Sequence, residues 1–303
     1  MIRFGIDLGG TKIEILGLDV FGVECYRQRI ATPHGSYVET LDAIVKLVMD
    51  AETALGATGT VGIATPGAIS RNPAINAGKI KNANSTCLNG EPLVADLESA
   101  LAREVRIEND ANCFALSEAT DGAAAGVPNV FGVILGTGTG GGICINGRIV
   151  TGANAIAGEW GHNPLPWPTA DELPGNACYC GRHGCIETWL SGPGLSKHFA
   201  QDTGRTLSAP EIVTNATHDA ACEAALLAYE DRLARSLATV INVIDPDVIV
   251  LGGGLSKVAR WYASVPKIWT KYILSDHVAT RLVAPAFGDS SGVRGAAWLW
   301  NNN

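Results

Sequence analysis

The chain has 303 residues, enough for two domains of ordinary size. Hydrophobic residues make up 47% and charged residues 17%, which supports a large buried core and excludes a disordered chain or a coiled coil. The formal net charge is −8 with no Lys/Arg cluster, so nucleic acid is a poor candidate partner and none is expected, because a phosphate backbone needs a basic patch.

The opening MIRFGIDLGG goes straight into a strand pattern, with no charged-then-apolar leader, and no apolar run reaches bilayer length. The expectation is a soluble, cytoplasmic protein with no membrane partner. RFGIDLGGTKIEILGLD (3–19) reads as strand, glycine turn, strand. Tyr37 to Leu55 has helical spacing, with Leu41, Ile44, Val45, Val48 and Met49 on one face. TVGIATPGAI (60–69) is a short apolar strand ending at Pro66-Gly67, Glu91 to Arg103 a helix, and EVRIEND (104–110) a strand that stops at polar residues. NVFGVILGTGTGGGICINGRIV (129–150) is again strand, glycine turn, strand. Ala220 to Val243 is a long helix, DVIVLGGGLS (247–256) a buried strand with a glycine loop, and Gly292 to Trp300 a short last helix. Alternating strands and helices make this an α/β protein.

The sequence also echoes itself. A shift of about 127 residues lays FGIDLGG (4–10) over FGVILGT (131–137), so that Phe, Gly, Leu and Gly coincide. Two unrelated hairpins would give this; so would two related domains that each open with a phosphate-gripping hairpin.

Three glycine loops follow buried strands. In DLGGTK, Gly9 and Gly10 let backbone N–H groups approach an anion, Thr11 and Lys12 add donors, and Asp7 at the strand end can hold hydrated Mg²⁺. Gly136, Thr137 and Gly138 form the second loop, Gly253 and Gly254 the third. Together they suggest a bound nucleotide. The segment is not a Walker A loop, and no G-x-G-x-x-G opens a helix, which argues against a dinucleotide-binding dehydrogenase.

Asn109-Asp110 stands where a strand meets a helix. Asp110 there is either a structural N-cap or a catalytic group that accepts a substrate proton. Glu159 and His162 in EWGH are three apart and can converge on one ligand. ACYCGRHGCIE (177–187) holds three of the eight cysteines, open to reading as a disulfide knot, a metal site or part of an active site. In a reducing cytosol, metal is favoured over disulfides. His162, Cys178, Cys180 and Cys185 make a Cys₃His set suited to structural zinc, with Gly181 and Gly184 letting the chain wrap an ion; three free thiols are the plainer alternative.

DLGGTK, E-x-G-H at 159–162 and C-x-C-G-x-x-G-C-x-E at 178–187 together resemble the ROK family of bacterial sugar kinases and repressors, a likeness that extends through NDAN (109–112), DPDVIVLGGGLS (245–256) and GVRGAAWL (292–299). The resemblance implies an actin/hexokinase-like (ribonuclease H-like) fold: two α/β domains around a cleft, the first being residues 1–115 plus about 291–303, the second residues 116–290 with a zinc-binding loop at 162–185. It implies ATP with Mg²⁺ as phosphoryl donor, its phosphates between the loops at 7–12 and 136–142 and its adenosine towards 252–254. It implies Asp110 as catalytic base, and Asn109, Glu159, His162 and Glu187 as sugar contacts, joined by Gly67 and Asn84. His162 would serve both zinc and sugar through its two ring nitrogens. Within the family, KNANST (81–86) and GHNPLPW (161–167) look most like the fructokinases that also accept mannose, so fructose 6-phosphate is the expected product. N-acetylglucosamine or glucose kinases of the same family are the alternative. Cys87 stands where the fructokinase pattern has an aromatic residue. A sugar-responsive repressor would carry a helix-turn-helix before DLGGTK, where only three residues precede the strand. An actin-like ATPase would not need Glu159, His162 and Glu187. A homodimer is common in the family.

Overall fold

The computed structural model describes residues 1–33, 35–74, 76–83 and 85–301. They divide into two units: Met1–Gly126 with Gly142–Ala157 and Asp289–Asn303, and Val127–Gly141 with Gly158–Gly288.

In the first unit, β1 (Ile2–Leu8), β2 (Lys12–Leu18) and β3 (Glu24–Ala31) precede α1 (Tyr37–Leu55). Ser36 caps α1 by accepting from the Glu39 N–H, and Gly56 ends it in the left-handed region. The buried stripe of α1 is Thr40, Ile44, Leu47, Val48 and Ala51. It is turned from the expected face: Met49 is exposed, because Leu47 and Ala51 share the Ile44 side and pack towards the sheet. β4 (Gly59–Thr65) follows, then the small hairpin β5 (Ala68–Ile69) and β6 (Ile80–Lys81), α2 (Leu93–Leu101), β7 (Val105–Asn109) and α3 (Asp110–Thr120). The sheet order is β3-β2-β1-β4-β7, with β4 parallel to both β1 and β7. Phe4, Ile6, Ile13, Ile15, Val61 and Ile63 line one core with the stripe of α1.

The second sheet begins with β8 (Asn129–Leu135), β9 (Thr139–Ile145) and β10 (Arg148–Ile149). Helices α4 (Glu187–Leu190), α5 (Gly192–Thr203), α6 (Ala209–Asn215) and α7 (Ala220–Ile244) follow, then β11 (Val248–Gly252), α8 (Arg260–Trp269) and β12 (Arg281–Val283). Asp219 caps α7 through the N–H groups of Ala221 and Cys222. The helix buries Leu226, Tyr229, Leu233, Leu237 and Ile241, spaced three and four apart. The sheet order is β10-β9-β8-β11-β12, with β11 parallel to β8 and β12. This repeats the order of the first sheet strand for strand, so the echo between residues 4–10 and 131–137 reflects two copies of one topology.

The chain ends on α9 (Ser291–Trp298), which belongs to the first unit. It lies so close to its neighbours that a Cβ on Gly62 would sit 1.9 Å from Ala296 O, and one on Gly295 1.7 Å from Cys113 O. Hydrogen in place of side chains lets β4, α9 and α3 approach backbone to backbone. That packing keeps all of α3 in the first unit, whose stretch runs to Gly126 rather than to the expected boundary at 115. Among the described residues, no helix is long and apolar enough to cross a membrane.

Candidate functional site

In the first unit, β1 carries Asp7 to the start of a tight turn. Gly9 N–H donates to Lys12 O at 3.0 Å, and Thr32 pins the turn through Gly9 O at 2.7 Å and Thr11 O at 3.1 Å. Burial pushes the Asp7 carboxyl up to about 6, helped by the charges of Asp110 and Glu14 and opposed by Lys12 and Arg29. A carboxyl so disfavoured as an anion is stabilised in that form by a nearby cation, so the donor set fits hydrated Mg²⁺. The start of α9 adjoins it: a Cβ on Gly292 would lie 3.9 Å from the Asp7 carboxyl. Below the turn, Glu14 is buried and bound by Arg27 and by Arg29, the latter at 2.6 Å.

At the end of β7, the cap role weighed for Asp110 falls to Asn109. Asn109 Oδ1 accepts from Ala111 N–H at 2.9 Å, and its Nδ2 donates to Gly67 O at 2.9 Å. Asp110 is the first residue of α3, and its Oδ1 also takes the Ala111 N–H, at 2.8 Å. Gly67 has φ +82°, and a Cβ there would lie 2.3 Å from Lys81 O, so only glycine fits. Asn109 is thus engaged in shaping this corner rather than left wholly to a ligand. Asn84 lies outside the described residues. Cys87 lines a cavity of about 290 Å³ with Leu8, Gly10, Thr32 and Ser85.

In the second unit, three expected residues hang on the start of β9. Trp160 Nε1–H donates to Gly140 O at 2.9 Å, and a Cβ on Gly161 would lie 2.0 Å from Thr139 O, which seats the turn between Glu159 and His162. Glu187 opens α4, and its Oε2 accepts from Thr139 N–H at 2.9 Å. A Cβ on Gly138 would lie 2.7 Å from that same oxygen, so glycine admits the carboxylate. Gly136 commits its own N–H to Gly138 O at 3.0 Å and its carbonyl to Gly192 N–H at 2.8 Å. It shapes the loop rather than offering a donor to phosphate, as was expected of it. Gly253 has φ +78° and backs onto Leu135, where a Cβ would lie 2.5 Å from its carbonyl, while the Cα of Gly254 faces open space.

All eight cysteines are free thiols, which removes the disulfide reading of 177–187. The ligand atoms of His162, Cys178, Cys180 and Cys185 lie within 4.8 Å of one another. Cys178 Sγ is 3.6 Å from His162 Nδ1, and Cys180 Sγ is 3.6 Å from Cys185 Sγ. A tetrahedron with metal–sulfur bonds of about 2.3 Å has edges of about 3.6–3.8 Å, so this set fits zinc. Burial and the neighbouring thiols push Cys185 up to about 12. Burial also opposes ionisation of Cys180, yet hydrogen bonds from the Arg182 N–H and the other two thiols lower it. The second ring nitrogen of His162 does not face open space. Its Nε2 lies 2.9 Å from Tyr179 Oη, with the rings edge-on at 5.0 Å. Burial and the charges of Glu187 and Glu159 push the Tyr179 phenol up to about 12. Sequence reasoning missed Tyr179 and Thr139. For Tyr179 a signal existed: a residue between two closely spaced ligands must project beside the metal.

The family profile of ROK matches residues 3–303. The chain is 40% identical over 304 aligned positions to the N-acetyl-D-glucosamine kinase of Yersinia pseudotuberculosis, covering 98% of each chain. It superimposes on the ROK hexokinase of Thermus thermophilus with a TM-score of 0.85 at 30% identity, covering 98% of this chain and 97% of that one. The ROK family glucokinase of Streptomyces griseus, solved with glucose and AMPPNP, gives a TM-score of 0.77 at 27% identity, covering 99% of each.

Proposed function

This chain belongs to the ROK family, and from that premise we propose that it is a sugar kinase that phosphorylates N-acetyl-D-glucosamine at the 6-hydroxyl with ATP. The observation that carries the substrate is the end-to-end likeness to the Yersinia enzyme. It supports N-acetylglucosamine over the fructose expected from KNANST and GHNPLPW.

Phosphoryl transfer passes through a loose, anionic transition state, so the protein must position the reactants and offset charge. Bound Mg²⁺ would supply charge neutralisation at the phosphates, with Asp7 as its holder. Lys12 and the N–H groups of Gly10 and Thr11 bind phosphate oxygens, since the Gly9 N–H is committed to Lys12 O. Asp110 accepts the proton of the sugar hydroxyl, from a carboxylate oriented by the Ala111 N–H. Glu159, His162 and Glu187 bind sugar hydroxyls, with Glu187 aimed by Thr139 and His162 using Nε2 in exchange for its contact with Tyr179 Oη. A four-ligand zinc at the Cys₃His set would cross-link the loops that bear Glu159 and Glu187. With no open position, it would be structural.

ADP release measured over a panel of N-acetylglucosamine, glucose, mannose and fructose tests this. The highest kcat/KM is expected for N-acetylglucosamine; a preference for fructose or mannose, or sugar-independent turnover, would overturn it. Stripping the metal with a chelator is expected to lower thermal stability and sugar affinity before nucleotide affinity. Full stability and sugar affinity in metal-free protein would remove the zinc assignment.

A further inference from the structure

Glu187 stands on a helix that cannot hold itself. α4 has only four residues, too few for a stable free helix, so its neighbours must fix it. Trp189, two residues after Glu187, is 3% exposed, and its Nε1–H has no hydrogen-bond partner among the described residues. Ring contacts hold the indole instead. The His198 imidazole stacks on it at 3.8 Å with 8° between the planes, and the Arg232 guanidinium lies over it at 4.5 Å.

His198 is buried in the middle of α5, a helix capped by Ser191. Its hydrogen bonds run in two directions. On one side the imidazole bonds the backbone of Thr188, the residue next to Glu187. On the other, Nε2 lies 3.0 Å from Asn176 Nδ2, two residues before Cys178. Gln201 fixes the protons. Its Nε2–H donates to Asn176 Oδ1 at 3.0 Å, which turns the Asn176 amide N–H towards His198. Nε2 therefore accepts, and the single ring proton lies on Nδ1, where the Thr188 carbonyl takes it. Burial, and then the charge of Arg232, push His198 down to about 4, against the bond to Thr188. The ring is thus neutral, as both bonds require; a second ring proton would set N–H against N–H.

We propose that His198 is a positioning residue for sugar recognition: through Thr188 and Trp189 it holds the helix that presents Glu187, and through Asn176 it ties that helix to the segment bearing Cys178 and Cys180. This rests on the sugar-kinase reading above. Glu187 is then aimed twice, its carboxylate by the Thr139 N–H at 2.9 Å and its backbone by His198.

His198→Phe is the test, since it keeps a flat ring against Trp189 and deletes both hydrogen bonds. Sugar Kd is measured by calorimetry, kcat and the KM of sugar and of ATP by ADP release, and metal content by elemental analysis on the same preparations. With metal content unchanged, sugar Kd and KM are expected to rise roughly threefold to tenfold, while kcat and the KM of ATP stay within about twofold. In a Glu187→Gln background the same change should raise sugar Kd by less than about twofold, because both residues act on one contact. Unchanged sugar Kd in His198→Phe would overturn the proposal. So would equal fold-changes in the two backgrounds, the mark of a general loosening, or weaker binding only in proportion to metal lost. Should His198→Phe fail to fold, Asn176→Ala removes the partner of Nε2 and leaves the imidazole on Trp189. Its sugar Kd should rise about twofold to threefold, and an unchanged value at full metal content would overturn the proposal equally. Wild-type protein that binds no sugar would remove the sugar-kinase reading and this proposal together; wild type that binds sugar, with the variants binding it equally well, would remove this proposal alone.

Discussion

The two glycine hairpins share a strand order but differ in charge. The first carries Asp7, Lys12 and Glu14, and Glu14 draws in Arg27 and Arg29. The same positions in the second hairpin hold Ile134, Thr139 and Gly141. One copy of the topology thus concentrates charge around its turn. The other is a neutral platform whose backbone carries Glu187 on Thr139 and Trp160 on Gly140. A duplicated fold allows such a division, since each copy needs only its core to stand and leaves the hairpin free to specialise.

If chemistry resides in the first unit and recognition in the second, their variants should fail differently. Asp110→Asn should lower kcat by roughly 10²–10⁴-fold, the usual contribution of a general base, with sugar KM nearly unmoved. Glu187→Gln should instead raise sugar KM, since the charge-assisted bond that aims it from Thr139 is weakened. A steady-state analysis of both variants decides the matter. If Asp110→Asn altered KM alone, the division of labour would collapse.

Each unit also buries a carboxylate between two arginines, and these two clusters sharpen the comparison. Glu172 is held by Arg232 and by Arg235, each at 2.8 Å, with Arg235 only 3% exposed. Glu14 has partners that are 33% and 50% exposed. Breaking a buried pair leaves an uncompensated charge and costs about 3–5 kcal/mol, whereas water can solvate half-exposed arginines. Denaturant unfolding should therefore find Glu172→Gln more damaging than Glu14→Gln, and the reverse order would show that burial does not decide the cost. The pH dependence has a definite sign. Burial raises the Glu172 carboxyl, but hydrogen bonds from Arg235, Arg232 and the Thr169 N–H outweigh it and hold the group at about 2, below its ordinary 4.5. Its stabilisation is present above pH 4.5 and is lost as pH falls towards 2. The stability gap between wild type and Glu172→Gln should close across that window.

Much of this was legible in the sequence because it rests on local rules. Glycine turns after apolar strands, the 3.6-residue period of α1 and α7, and the close spacing of Cys178, Cys180 and Cys185 need no knowledge of distant neighbours. What escaped depends on residues far apart in the chain. The buried face of α1 is set by the sheet beneath it, so period alone left its stripe one residue out. The depth of the first unit's long stretch, to Gly126, comes from α9 packing on α3, a contact between segments over 170 residues apart. Asn109 takes the cap because Gly67 O waits for its amide, which NDAN cannot reveal. Likewise, Glu187 is aimed by a backbone N–H 48 residues away.

The subtlest contrast between the hairpins is the pair Glu14 and Gly141. The first copy accepts a full carboxylate side chain at this position; the second has no room for a methyl group. A Cβ on Gly141 would lie 2.7 Å from Trp160 Cδ1, 2.8 Å from Gly158 O and 2.9 Å from Phe131 Cζ. Two of these neighbours are rings packed edge-to-face at 5.7 Å and the third is backbone, so none yields cheaply. Gly141→Ala should then cost about 1–3 kcal/mol of stability, as overpacking does, and displace Trp160 from Gly140 O. Because Trp160 lies between Glu159 and His162, sugar KM should rise while kcat stays close to that of wild type. If Gly141→Ala changed neither stability nor KM, Trp160 would not be held by this strand. The neutrality of the second hairpin would then be an accident of composition rather than a requirement of the packing that holds Glu159 and His162.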